Sequence, residues 1–209
     1  MALFLTFEGP DGGGKSTQSQ LLANALRGRG YDVLLTREPG GTPLGERLRE
    51  VLLNQSGPPM TPTAMALILS AARAQLLNDV VEPALSSGKV VIVDRYVDST
   101  AAYQGSGLGL DSAIIEQLRA IAAPRTPDLT FYVDVPEDVA QGRRRGRDIT
   151  NRLDVETESF HRRVRRGYEE LIAAEPDRIV RIDGTGTPGQ VHATIMQVLV
   201  PILEAPKAS

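Results

Sequence analysis

The 209-residue chain has no cysteine, which excludes disulfides, thiolate metal sites and thiol redox chemistry and is compatible with a cytoplasmic protein. No apolar run approaches the roughly 20 residues of a membrane helix, and the opening Met-Ala-Leu-Phe-Leu lacks a basic region, so no membrane partner is expected. A general positive field is missing too. The formal net charge of -3 and a pI near 5.5 argue against a duplex nucleic-acid partner, although arginines cluster locally. There is no repeat, no low-complexity tract and no long charged or Pro/Ser-rich break, so residues 1–209 read as one domain. Histidine is scarce, and His161 and His192 are isolated, as structural or surface residues would be.

Lysine is almost absent, with 3 residues against 20 arginines. One of the three stands in Gly9-Pro10-Asp11-Gly12-Gly13-Gly14-Lys15-Ser16-Thr17, which fits the phosphate-binding pattern G-x-x-x-x-G-K-S. By the chain's own usage, chance would supply such a match about 0.3% of the time. The stretch follows a short apolar run, Leu3 to Phe7, and precedes helical spacing from Lys15 to Leu26, so a strand, a glycine loop and a helix start come in that order. Glycines let backbone N–H groups converge on phosphate oxygens, and the helix N-terminus adds positive potential. Lys15 supplies a compact charge, and the Ser16 hydroxyl suits a Mg²⁺ ion.

Further apolar runs at Val33 to Leu35, Val90 to Val93, Leu129 to Val135 and Ile179 to Ile182 alternate with helix-compatible segments. The alternation predicts a mostly parallel sheet covered on both faces, with ligands at the carboxyl ends of its strands. Thr36 to Thr42 and Asp94-Arg95-Tyr96 follow two of these strands and place polar groups at the same edge as the glycine loop. Thr63 to Leu85 reads as a long helix kinked near Pro83, with Arg73 in its middle, where an arginine is ordinarily solvated. Tyr96 to Gly109 reads as irregular, Asp111 to Ala122 as a helix capped by Asp111, and 160–174 and 191–203 as helices. The arginine run 142–147 is ordinarily a solvated face. Opposite a phosphate cradle, it is also a means of supplying charge to a transition state.

These residues alone leave open another small-molecule kinase or a nucleotide switch, although the Asn-Lys-x-Asp guanine motif of GTPases does not occur. In order along the chain, Phe7 to Gln18, Thr36 to Thr42, Ala71-Ala72-Arg73, Asp94-Arg95-Tyr96, Ala102 to Gly105 and Pro127 to Thr130 closely resemble the bacterial form of the thymidylate kinase family. The resemblance implies a three-layer α/β P-loop kinase fold, with a five-stranded, mostly parallel sheet and a short arginine-rich lid at about 142–153. It implies transfer of the γ-phosphoryl group of ATP to thymidine monophosphate, with Mg²⁺ held by Ser16 and by Asp94 through water. The loop from Gly9 to Thr17 would bind ATP. Arg95 would hold the acceptor phosphate with Arg49 and Arg37, and Asp11 would accept from the 3′-hydroxyl. Arg73, Thr100 and Gln104 would read the base, and Tyr103 would stand where a ribose 2′-hydroxyl falls. Glu38, Pro39 and Leu53 would complete the pocket. The family commonly has an aromatic residue where this chain has Leu69, so packing replaces stacking there and weaker binding is expected. Transition-state charge would come from Arg147 first, then Arg143 and Arg152. A cytoplasmic homodimer is implied, joined through the helices 63–85 and 111–122.

Overall fold

The computed structural model describes residues 2–145 and 156–204, so Arg147, Arg152 and most of the expected lid lie outside the described residues. In chain order the elements are β1 (Leu3–Glu8), α1 (Lys15–Gly28), β2 (Val33–Arg37), α2 (Pro43–Leu53), α3 (Pro62–Leu76), α4 (Glu82–Ser86), β3 (Val90–Asp94) and α5 (Val97–Thr100). Then come α6 (Ser112–Ala122), β4 (Leu129–Asp134), α7 (Glu137–Arg145), α8 (Glu158–Ala174), β5 (Ile179–Asp183) and α9 (Pro188–Glu204). The five strands are all parallel, in the order β2-β3-β1-β4-β5. Strand order reverses at β1, and the crevice at such a switch point is where ligands of open α/β sheets bind.

Alternation along β1 separates the two buried faces. Leu3, Leu5 and Phe7 pack with Leu22 and Leu26 of α1 and with Ile195 and Leu199 of α9, whereas Phe4 packs with Leu76, Val81 and Tyr96 on the other side. Thr6 and Glu8 share the Phe4 face, and both are fully buried. Thr6 meets Thr130 of β4 at 2.7 Å, and Asp128 receives the Phe4 N–H at 2.7 Å, so the Pro127-Asp128 stretch ties β4 to the start of β1.

Two expected irregularities take another form. A π-helical turn at Leu77–Val81 joins α3 to α4 ahead of Pro83, which then sits in the first turn of α4, where its missing N–H costs least. The stretch read as irregular after Tyr96 is helical, as α5 followed by a π-helical segment at Ala101–Gly107. Gly107 of this segment serves packing rather than a turn. A Cβ on Gly107 would meet the Phe160 ring at 2.7 Å, and one on Gly167 of α8 would meet Ser106 Oγ at 2.5 Å. Gly142 and Arg143 of the arginine run belong to α7 rather than to a loop. The continuous stretch Pro62–Ser86 is 25 residues long, with a window of mean hydropathy 1.3, enough by length and composition to span a membrane. It carries the buried Arg73 and packs against the sheet as a core helix.

Candidate active site

β1 delivers the chain into the glycine loop at the centre of the sheet edge. Gly9 has φ 135° and lies so close to β4 that a Cβ would meet Val133 O at 2.5 Å. Gly14 caps α1 in the left-handed region with φ 99° and has no side chain to satisfy the first N–H groups, which suits an anion. Lys15 is buried, and its Nζ donates to Pro10 O at 2.8 Å. Burial, then the neighbouring Arg95 charge, lowers its pKa to about 8. The Ser16 hydroxyl donates to Asp94 Oδ2, and Asp94 Oδ1 is buried without a partner. A hydroxyl oxygen beside an uncommitted carboxylate oxygen suits a hard cation. No group of three His, Cys, Asp or Glu residues suited to a metal occurs among the described residues, so such a cation would take most of its ligands from phosphate and water.

Arg95 follows β3 in the left-handed region, at φ 73°, unusual for a residue with a Cβ. Its Nη2 donates to Asp11 Oδ1 at 2.7 Å and to the Tyr103 hydroxyl at 3.2 Å; that hydroxyl donates to Asp11 Oδ2 at 3.2 Å. A pocket opens beside this group. Its lining includes the expected Asp11, Glu38, Pro39, Arg49, Leu53, Leu69, Arg95, Tyr103 and Gln104. A second cavity, with Lys15, Ser16, Asp94 and Arg37, shares Asp11, Glu38, Arg49 and Arg95 with it, so the phosphate cradle and the pocket adjoin. Arg49 donates to Pro39 O at 2.9 Å, and Arg37 pairs with Glu46 at 2.9 Å.

Arg73 and Thr100 are not brought to that pocket wall. Arg73 is only 3% exposed, so the solvated-helix reading fails. Its Nε donates to Glu38 Oε2 at 2.6 Å, and its Nη2 donates to Tyr96 O at 3.1 Å and Thr100 Oγ1 at 3.0 Å. Both residues line a separate cavity behind α5, so a base in the front pocket would meet Glu38 before most of Arg73. Burial outweighs the Arg73 charge and raises the Glu38 pKa to about 7. The folded state therefore holds a proton on Glu38 that the unfolded chain has lost, and its contribution to stability falls as pH rises through about 7. Arg73→Met would leave that carboxylate unpaired. It should destabilise the protein by about 3 kcal/mol at pH 8 and by clearly less at pH 6, where Glu38 is already neutral, as read from urea unfolding at both pH values. An equal loss at both would separate the effect from Glu38.

Two groups escaped the sequence reading. Glu8 of β1 is fully buried and receives the Tyr96 N–H at 2.7 Å, the Ser99 hydroxyl at 2.6 Å and the Tyr168 hydroxyl at 2.8 Å. Burial and Asp98 push its carboxyl above the ordinary range, against Arg95 and the Ser99 and Tyr96 donors. The only sequence signal was a carboxylate ending an otherwise buried strand. The turn after β5 is the second: Gly184, Gly186 and Pro188 border a cavity with Gly13, Gly14 and Arg143, and Gln18 Nε2 donates to Pro188 O at 3.0 Å. Arg143, expected as a source of transition-state charge, donates instead to Gly12 O at 3.4 Å and to Gly184 O at 3.2 Å, in that cavity and not in the one holding Arg95.

A glycine loop at the switch point of a five-stranded parallel sheet, adjoining a second pocket floored by arginine and aspartate, defines a P-loop kinase. The family model described as thymidylate kinase matches residues 7–195. A thymidylate kinase of Synechococcus sp. (strain JA-2-3B'a(2-13)) is 48% identical over 202 residues, 96% of each chain, and one of Thermomicrobium roseum is 48% identical over 205 residues, 95% of this chain and 97% of that one. The crystal structure of thymidylate kinase from Ehrlichia chaffeensis superposes with a TM-score of 0.79 at 35% identity, covering 95% of this chain and 98% of that one. The chain belongs to the thymidylate kinase family.

Proposed function

We propose that the chain transfers the γ-phosphoryl group of ATP to thymidine monophosphate, yielding the diphosphate for dTTP synthesis, with the residue roles that follow. The observation that best supports these roles is the Arg95–Asp11–Tyr103 group, set where the phosphate cradle and the neighbouring pocket meet. Arg95, with Arg49, holds the acceptor phosphate. Asp11 takes the 3′-hydroxyl of the sugar, and Tyr103 fills the space of a 2′-hydroxyl. The base lies between Leu69, Pro39 and Leu53, with Gln104 and Glu38, which Arg73 holds from behind, at its polar edge.

The attacking oxygen belongs to a phosphate monoester, largely deprotonated at neutral pH, so no strong general base is required. Catalysis reduces to holding the two phosphates in line and neutralising the charge that spreads over the transferred group. Lys15 exchanges Pro10 O for phosphate oxygens. Ser16, with Asp94 acting through water, would hold Mg²⁺, which would supply neutralising charge to the phosphates. Gly184 to Pro188 and Arg143 border the donor's nucleoside, and, as the family resemblance implies, Arg147 first and then Arg152 supply transition-state charge. The apolar, exposed Leu67 of α3 and Ile114 and Ile121 of α6 support pairing with a second copy. The acidic balance is consistent with a cytoplasmic protein acting on small molecules.

The test is ADP release from Mg-ATP in the presence of each common nucleoside monophosphate. Strong preference for thymidine monophosphate is the expected result. Preference for another acceptor would keep the phosphoryl-transfer machinery and overturn the base-reading roles of Gln104 and the Arg73–Glu38 pair.

A further inference from the structure

Nothing in the reaction as described uses Glu8, yet it is fully buried and two hydroxyls and two backbone N–H groups converge on it. Its Oε1 accepts from Tyr96 N at 2.7 Å and Ser99 N at 3.2 Å, which fixes the carboxylate to the turn that carries Arg95. Its Oε2 accepts from the Ser99 hydroxyl at 2.6 Å and the Tyr168 hydroxyl at 2.8 Å. Four donors facing its two oxygens favour the ionised form against the effect of burial; an ionised carboxylate only accepts, and each hydroxyl has a single hydrogen. With both hydrogens directed at Glu8, both oxygens turn lone pairs to Arg95, whose Nη1 donates to Ser99 Oγ at 3.0 Å and reaches the Tyr168 oxygen at 3.4 Å. Gly9 O completes that seat at 3.1 Å. Glu8 itself stands 4.0 Å from Arg95 Nη1, beyond direct hydrogen bonding, so it acts through the hydroxyls.

We infer that Glu8 is a positioning residue for the acceptor phosphate: it polarises the Ser99 and Tyr168 hydroxyls so that they seat Nη1 of Arg95 and leave Nη2 directed at the substrate pocket. The inference rests on the role proposed above for Arg95. An amide at position 8 would present an N–H₂ to at least one of these oxygens. That hydroxyl hydrogen would then turn toward the guanidinium, and the seat would become repulsive.

The experiment is steady-state kinetics with thymidine monophosphate and ATP varied separately, on Glu8→Gln and Tyr168→Phe, each alone and combined with Arg95→Ala, alongside thermal melts. Each single change should raise the KM for thymidine monophosphate about tenfold and leave the KM for ATP within about twofold. Combined with Arg95→Ala, the same change should move the KM for thymidine monophosphate by less than about twofold, because the group it positions is gone. Equal effects in both backgrounds would overturn the inference. So would a loss of stability or active fraction with the KM for thymidine monophosphate unchanged, the signature of a merely structural carboxylate. If Glu8→Gln does not fold, Tyr168→Phe decides by the same criteria. An unchanged KM for thymidine monophosphate in Arg95→Ala alone would remove the role of Arg95, and the inference with it; the effects of Glu8→Gln measured in the wild-type background would identify which reading had failed.

Discussion

Lys15→Ala should lower kcat by about 10⁴-fold and leave the melting temperature within a few degrees of the parent. The structure separates these two effects. The only hydrogen bond described for the ammonium goes to Pro10 O, at 2.8 Å within its own loop, so its loss opens no gap between elements of the fold. Burial has already displaced the ammonium pKa down to about 8, a sign that the folded protein holds the charge at a cost. The folded state binds fewer protons than the unfolded chain between about 8 and 10.5, so the parent gains stability as pH rises through that window. The alanine variant lacks that gain. A single-turnover assay with a thermal melt at pH 7.5 tests both effects; a melted variant would make the lysine a scaffold residue.

Arg147→Ala should reduce turnover by roughly 10³-fold with the KM for thymidine monophosphate little changed. In the roles proposed above, Lys15 serves the donor phosphates and Arg95 the acceptor, while the glycine loop between them contains Asp11 and glycines but no arginine. Arg143 is taken up by Gly12 O and Gly184 O. The role proposed for Arg147 in supplying charge to the group in flight rests on the resemblance to the thymidylate kinase family, which implies lid arginines for it, Arg147 first. Rapid-quench measurement of the chemical step is the check, with Arg147→Lys as the variant that keeps charge without the planar fork. Turnover like the parent's would pass the role to Arg152.

The strands were legible because each is a short apolar run bounded by turn chemistry. Observed and expected limits agree to within two residues; β2, for instance, runs to Arg37 where the apolar pattern stops at Leu35. The glycine loop was legible because its residue types answer to phosphate independently of the rest of the fold. The helix after Tyr96 was hidden by Gly105 and Gly107, which signal a turn locally. Only Phe160 and Val164, more than fifty residues on, show that the second of them accommodates a neighbouring helix. Arg73 looked solvated because its partner, Glu38, lies 35 positions away on another element. Glu8 escaped a role for a similar reason: Ser99 and Tyr168, the hydroxyls that define it, come from distant parts of the chain.

The interlock of Gly107 with Phe160, and of Gly167 with Ser106, fixes how closely α8 approaches the π-helical segment. Tyr103 rides on one of these elements and Tyr168 on the other, with ring centroids 6.4 Å apart. With the role proposed for Tyr103, sugar discrimination would be tuned by a helix spacing rather than by the pocket lining alone. A methyl group added at either glycine would wedge the two helices apart and loosen the wall that Tyr103 forms, without altering any residue of that pocket. Enzyme variants selected to accept bulkier or ribose-bearing analogues would accordingly be expected to carry changes along this seam, out of reach of the nucleotide.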